Sequence, residues 1–99
     1  MQLGRFYWLI IHQFLFAREN FKKDLTEMGF VFPDSRTNFV FAKHPEHSGE
    51  ELFQKLRQRG IYVRHWNKPL IGEYLRITIG TEEEMAAVTQ ALREIVNAE

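Results

Sequence analysis

Cysteine is absent from the 99-residue chain, which excludes a disulfide scaffold, a thiol nucleophile and a zinc knuckle. Net charge is absent as well. Thirteen Lys and Arg balance thirteen Asp and Glu, so no global field draws the chain toward nucleic acid or an anionic membrane. No apolar run approaches the roughly 20 residues of a membrane-spanning helix. The longest, Phe6-Tyr7-Trp8-Leu9-Ile10-Ile11, is broken by His12-Gln13. Arg5 is a weak basic start and no small-residue cleavage site follows, so the run does not read as a secretory signal. With no redox or targeting mark, a cytoplasmic location is the default expectation. Linkers, internal repeats and low-complexity tracts are missing too. At 99 residues the chain makes one domain, too small to enclose a deep, dry active-site cleft by itself.

In bulk the composition is that of a folded protein, with 44% apolar and 26% charged residues. Aromatic residues make up 14%, nine of them Phe, which is more than one small core needs and leaves surface for a partner. Phe6 to Phe16 is apolar on every side, and a helix of that kind has to be covered all round. Amphipathic spacing then takes over. Phe21, Leu25 and Met28 recur at four and three residues with charges between them, and Gly29 is a natural stop. The spacing predicts one long helix from about residue 3 to 28.

Phe30-Val31-Phe32 and Asn38 to Ala42 read as strands around the turn Pro33-Asp34-Ser35. Ser48 to Glu51 reads as a capping box opening a helix with Leu52, Phe53 and Leu56 on its apolar face and Gly60 at its end. Ile61 to Arg64 is a short strand, and Tyr74 to Ile79 a clear one. Thr81 to Glu84 is a second capping box, followed by Met85, Val88, Leu92 and Ile95 at helical spacing. The order α-β-β-α-β-β-α predicts an α+β fold: a small antiparallel-rich sheet with helices packed on one face.

Strand alternation turns Leu75, Ile77 and Ile79 toward the helices and leaves Tyr74, Arg76 and Thr78 on the opposite face. Arg64 ends the neighbouring strand in a similar position. Two planar guanidinium groups on a polar sheet face can clamp a carboxylate or phosphate with paired hydrogen bonds. Taken alone, they also read as ordinary solvent-facing strand residues. His44 and His47 flank Pro45-Glu46, but a metal needs three or four converging ligands and nothing joins these two. Glu82 to Glu84 are accounted for by capping. Ser35, Ser48 and Thr78 have no His and Asp arrangement suited to a hydrolytic triad. Lys55, Arg57, Arg59, Arg64 and Lys68, with Tyr62 and Trp66 among them, form a basic aromatic strip without a nucleic-acid motif. It reads as a solvated helix face followed by a strand.

Several pieces in fixed order carry a resemblance. They are a helix ending Leu25-Thr26-Glu27-Met28-Gly29-Phe30; Pro33 to Val40, with Ser35-x-x-Asn38-Phe39; Leu56-x-x-x-Gly60-Ile61-x-Val63-Arg64; Leu75-Arg76-Ile77-Thr78-Ile79-Gly80-Thr81; and Ala91-Leu92-Arg93. From Arg18 onward the chain resembles the C-terminal small domain of fold-type-I pyridoxal-phosphate-dependent aminotransferases, nearest the histidinol-phosphate aminotransferases. Residues 1–17 form an atypical apolar start that resembles no part of that family. The resemblance implies that Arg76 binds the anionic end of a substrate and that Arg64 helps bind a substrate phosphate, with Asn38 a possible supporting residue.

A complete enzyme of this type needs a lysine that bonds to the cofactor aldehyde and an Asp on the pyridinium nitrogen. In the family both belong to the large domain, and none of Lys22, Lys23, Lys43, Lys55 or Lys68 stands in a matching motif. The chain is therefore expected to be a stand-alone or truncated domain, with no cofactor of its own and inactive alone. The alternatives are a non-enzymatic module that self-associates through Phe6 to Phe16, or docks a missing large domain there, and, more weakly, a nucleic-acid binder using Lys55 to Lys68. No metal and no membrane contact are expected.

Overall fold

Apolar residues gather on one side of the first helix only in its second half, and the fold follows that division. The computed structural model describes residues 2–34 and 37–98, with the backbone alone over 2–8; Ser35, expected in a turn, and Arg36 lie outside the described residues. Helix α1 (Gln2–Glu27) is unbroken across the boundary at residues 17 and 18. At 1.5 Å per residue it is about 39 Å long, in a molecule of 50 × 26 × 23 Å. Ala17, Phe21 and Leu25, one turn apart, are buried in the core. Leu9, Ile10, Ile11, Leu15 and Phe16 stay 38 to 59% exposed, so the outer half of the helix runs past the body that buries the inner half.

Gly29, at φ +92°, ends α1 in a left-handed turn that only glycine adopts without strain. Phe30 N donates back to Leu25 O at 3.0 Å and Gly29 N to Thr26 O at 3.1 Å, satisfying carbonyls the helix leaves open. The chain then departs from expectation. Phe30 to Phe32 is not a strand: it makes one bridge, Val31 with Lys43. Phe30 drops into the core, and Pro33 has no amide with which to extend the ladder. The element order is thus α-β-α-β-β-α, one strand fewer than predicted.

Strand β1 (Phe39–Ala42), helix α2 (Gly49–Gln58), strand β2 (Arg64–His65), strand β3 (Leu75–Thr78) and helix α3 (Glu82–Val96) follow. The sheet is wholly antiparallel in the order β1-β3-β2. β2 starts three residues later than predicted because Ile61 N is engaged with Leu56 O, closing α2 beyond Gly60 at φ +79°. Val40, Ala42, Leu75 and Ile77 turn to the helix side and join Leu52, Leu56, Leu92 and Ile95 in a single core. Helices cover that face alone.

The two helix starts differ. At α3 the capping box is complete: Glu84 N donates to Thr81 Oγ1 at 3.1 Å, and Thr81 N to Glu84 Oε1 at 2.8 Å. At α2 only the first half forms, Glu51 N donating to Ser48 Oγ. The Glu51 carboxylate turns away to Lys55 at 3.2 Å and His47 at 3.4 Å, and the Lys55 ammonium, then His47, hold it below the usual carboxylate range. A full box at α2 is therefore an expectation the structure corrects, because the Lys55 ammonium and the His47 ring engage the same carboxylate.

Candidate functional site

The sheet face without helices is built by strict alternation. Phe39 and Phe41 of β1 alternate with buried Val40 and Ala42, and Arg76 of β3 lies between buried Leu75 and Ile77. Antiparallel register sets Phe41 opposite Arg76, and Arg76 opposite Arg64. The two arginines are thus a directly opposed cross-strand pair on one side of the sheet. Among the described residues neither guanidinium has a carboxylate partner. Like charges facing each other across strands repel, and aromatic rings surround them instead. Arg64 Cζ stands 5.1 Å from the Trp66 ring centre. Arg76 Cζ stands 5.8 Å from the same ring and 5.4 Å from Phe39. Behind them Phe41 stacks flat on Tyr74 at 4.5 Å and meets Trp66 edge-on at 5.8 Å. Lys43 Nζ lies 5.2 Å from the Tyr74 ring.

Chemically, this face offers planar multi-donor cations, partly shielded by rings, with no acid in the ladder positions around them. It suits an anion with several oxygens. It offers no proton-transfer pair. Alternation alone located Arg64 and Arg76. The sequence gives the aromatic setting only one local sign: Trp66, two residues after Arg64 and just past β2, has the same parity as Arg64. Asn38 lies just outside β1, where its carbonyl accepts from Ile79 N at 2.8 Å. That rung is three residues along the ladder from the Phe41–Arg76 rung.

Several of the remaining polar candidates have structural tasks. His44 and His47, expected as loop polarity, are both buried, with 5% and 7% exposure. His44 Nε2 donates to Met28 O at 2.9 Å and its Nδ1 accepts from Glu46 N at 3.1 Å, tying the end of α1 to the turn before α2. Among the described residues no cluster of three metal-ligating side chains forms. In the basic strip, Lys55 pairs with Glu51 and Arg59 with Glu94, while Arg57, Lys68 and Tyr62 are exposed. Thr78 faces solvent, Ser48 serves as the α2 cap, and Glu82 and Glu83 lie in the first turn of α3. Two grooves lie elsewhere. One of about 620 Å³ runs between Ile10, Phe14 and the Ile79–Glu84 turn, and one of about 320 Å³ between α1 and α3 beside Asp24 and Met85. No helix among the described residues is long and apolar enough to cross a membrane.

Comparison with known proteins gives this geometry a context. Residues 11–92 match the family model for aminotransferase class I and II. The match begins seven residues before Arg18, inside the apolar half of α1. Over 81 residues the chain is 56% identical to a histidinol-phosphate aminotransferase of Marinomonas sp., covering 80% of this chain and 23% of the relative. The structure of the histidinol-phosphate aminotransferase from Clostridium acetobutylicum superposes with a TM-score of 0.75 at 25% identity, over 84% of this chain and 26% of that one. A histidinol-phosphate aminotransferase from Sinorhizobium meliloti, in complex with pyridoxal-5'-phosphate, shares the fold with a TM-score of 0.81 at 18% identity, over 96% of this chain and 27% of that one. The chain spans about a quarter of the length of the curated relatives it matches.

Proposed function

Because this chain belongs to the aminotransferase class I and II family, we propose that it is the substrate-gripping C-terminal portion of a histidinol-phosphate-type aminotransferase. In such an enzyme an amino group passes from glutamate through pyridoxal phosphate to a phosphorylated imidazole ketone. Arg76 and Arg64 hold the anionic end of that substrate and take no part in proton transfer. The observation that carries this reading is the opposed Arg64–Arg76 pair on the uncovered sheet face, with no carboxylate beside it among the described residues.

The residues present do not make a seat for the cofactor. Lys22 is committed to Asp34 at 2.8 Å and to Glu19, and Asp34 and Glu19 hold its ammonium above the usual lysine range. Lys55 is committed to Glu51, and Lys23 and Lys68 stand in solvent. Lys43 alone shares the arginine face, and no acid in the neighbouring ladder positions could hold a pyridinium nitrogen. On this reading the cofactor chemistry belongs to a large domain, and residues 1–99 by themselves are inactive.

The experiment has two arms. Purified chain mixed with pyridoxal phosphate, glutamate and the keto substrate is expected to show no turnover and no visible absorbance beyond that of free cofactor. Inorganic phosphate is expected to bind in the millimolar range, shifting the Arg64 and Arg76 side-chain NMR signals. Arg76→Gln is expected to weaken that binding about tenfold, the loss of roughly one charged hydrogen-bonding group. Turnover by the chain alone, or phosphate binding untouched by Arg76→Gln, overturns the reading.

The exposed Leu9, Ile10, Ile11, Leu15 and Phe16 favour a companion reading, in which the outer half of α1 is where the large domain or a second copy docks. For the isolated chain, light scattering at high micromolar concentration is expected to give a mass above 11.8 kDa. A sharp monomer would remove self-association.

A further inference from the structure

Two arginines facing each other across strands β2 and β3 need something other than counter-charge to stay together. Among the described residues no carboxylate supplies it. What both guanidinium groups share is one ring. Trp66 lies 5.1 Å from Arg64 Cζ and 5.8 Å from Arg76 Cζ, both within cation–π reach. The negative face of an indole lowers the repulsion between two cations, and its flat surface aligns planar groups laid against it. Trp66 is itself anchored. It is half-buried, Phe41 meets it edge-on at 5.8 Å, and Phe41 is held by its stack with Tyr74. The support thus links Phe41 of β1 with Trp66, just past β2, and Tyr74, just before β3.

We propose that Trp66 is a positioning residue that holds Arg64 and Arg76 as a preformed two-pronged clamp for a phosphate-bearing ligand. It does not touch the phosphate itself. This assignment rests on the reading of the two arginines as anion ligands. It adds that the affinity of the pair depends on the plate beneath them. A preformed clamp loses less side-chain freedom when its ligand arrives.

The test uses the full chain, inorganic phosphate and three proteins: wild type, Trp66→Leu and Trp66→Phe. Trp66→Leu keeps apolar bulk and removes the π face. It is expected to weaken phosphate binding about tenfold, a size appropriate to two lost cation–π contacts. It is also expected to abolish the ring-current displacement of the arginine side-chain NMR signals before any phosphate is added. Trp66→Phe, with a smaller ring in place, is expected to recover most of the affinity. The urea midpoint separates this role from a merely structural one, because Leu and Phe variants of equal stability should still differ in affinity. Wild-type affinity in Trp66→Leu overturns the proposal, as does a loss that Trp66→Phe does not rescue. If wild type binds no phosphate, the anion reading of the arginines fails by itself. The ring-current displacement then decides the placement of the guanidinium groups by Trp66: present in wild type and lost in Trp66→Leu it supports the placement, and unchanged it overturns it.

Discussion

Replacing Phe21 by alanine is expected to lower the free energy of unfolding by about 4 kcal/mol, the cost of emptying a fully buried aromatic site. Phe21 is 1% exposed and sits one turn from buried Ala17 and Leu25, so it is the largest apolar group that α1 commits to the core. Domains of this size are stable by only about 5–15 kcal/mol, and a loss of that size lowers Tm by roughly 20 °C. The control is on the same helix. Phe16, 59% exposed, is expected to tolerate alanine within about 0.5 kcal/mol. Urea melts of the two variants decide the matter. Equal destabilisation would mean that α1 packs through a different face from the one described.

Gly49→Ala is expected to cost about 3 kcal/mol, by overpacking. Gly49 is the first residue of α2, and the main chain before β3 passes directly over it. A Cβ added there would meet Gly72 O at 2.5 Å and the Glu73 carbonyl carbon at 2.8 Å. Both obstacles are backbone, so no rotamer change relieves the contact. Gly60 offers a contrast. It has open space but φ +79°, so Gly60→Ala pays only the left-handed backbone cost of about 1–2 kcal/mol. Forcing residues 72 and 73 away from α2 also displaces the lead into β3, so Gly49→Ala is expected to weaken phosphate binding in whatever fraction remains folded. Wild-type stability in Gly49→Ala would mean that this close approach does not exist in solution.

How much of this was legible beforehand depends on the range of the interactions concerned. The α3 capping box and the stops at Gly29 and Gly60 are decided within four or five residues, and the local sequence carries them. The shared side of Arg64 and Arg76 follows from two-residue alternation. Family membership was legible in ordered pieces such as Leu75 to Thr81, although the family match reaches further back into α1 than those pieces did. Elements decided by distant partners were not legible. Phe30 to Phe32 has strand composition, yet Phe30 is drawn into the core and only Val31 finds a rung. Glu51 has the place of a capping-box acid, yet Lys55 and His47 outbid the backbone amide. His44 looked like loop polarity, because nothing nearby in sequence shows that Met28 O, sixteen residues earlier, is its acceptor. In the sequence Trp66 is one aromatic among cations. Its relation to Arg76 exists only once β3 has paired with β2.

Helix α1 is a stiff shaft whose inner end is wedged into the molecule and whose outer end overhangs it. Whatever grasps the overhang inherits a heading as well as a foothold. With no break in the shaft, a body seated on Leu9 to Phe16 is aimed at a set angle to the sheet. Glycines substituted for the exposed Glu19 and Asn20 would slacken that aim while leaving every grasping side chain in place.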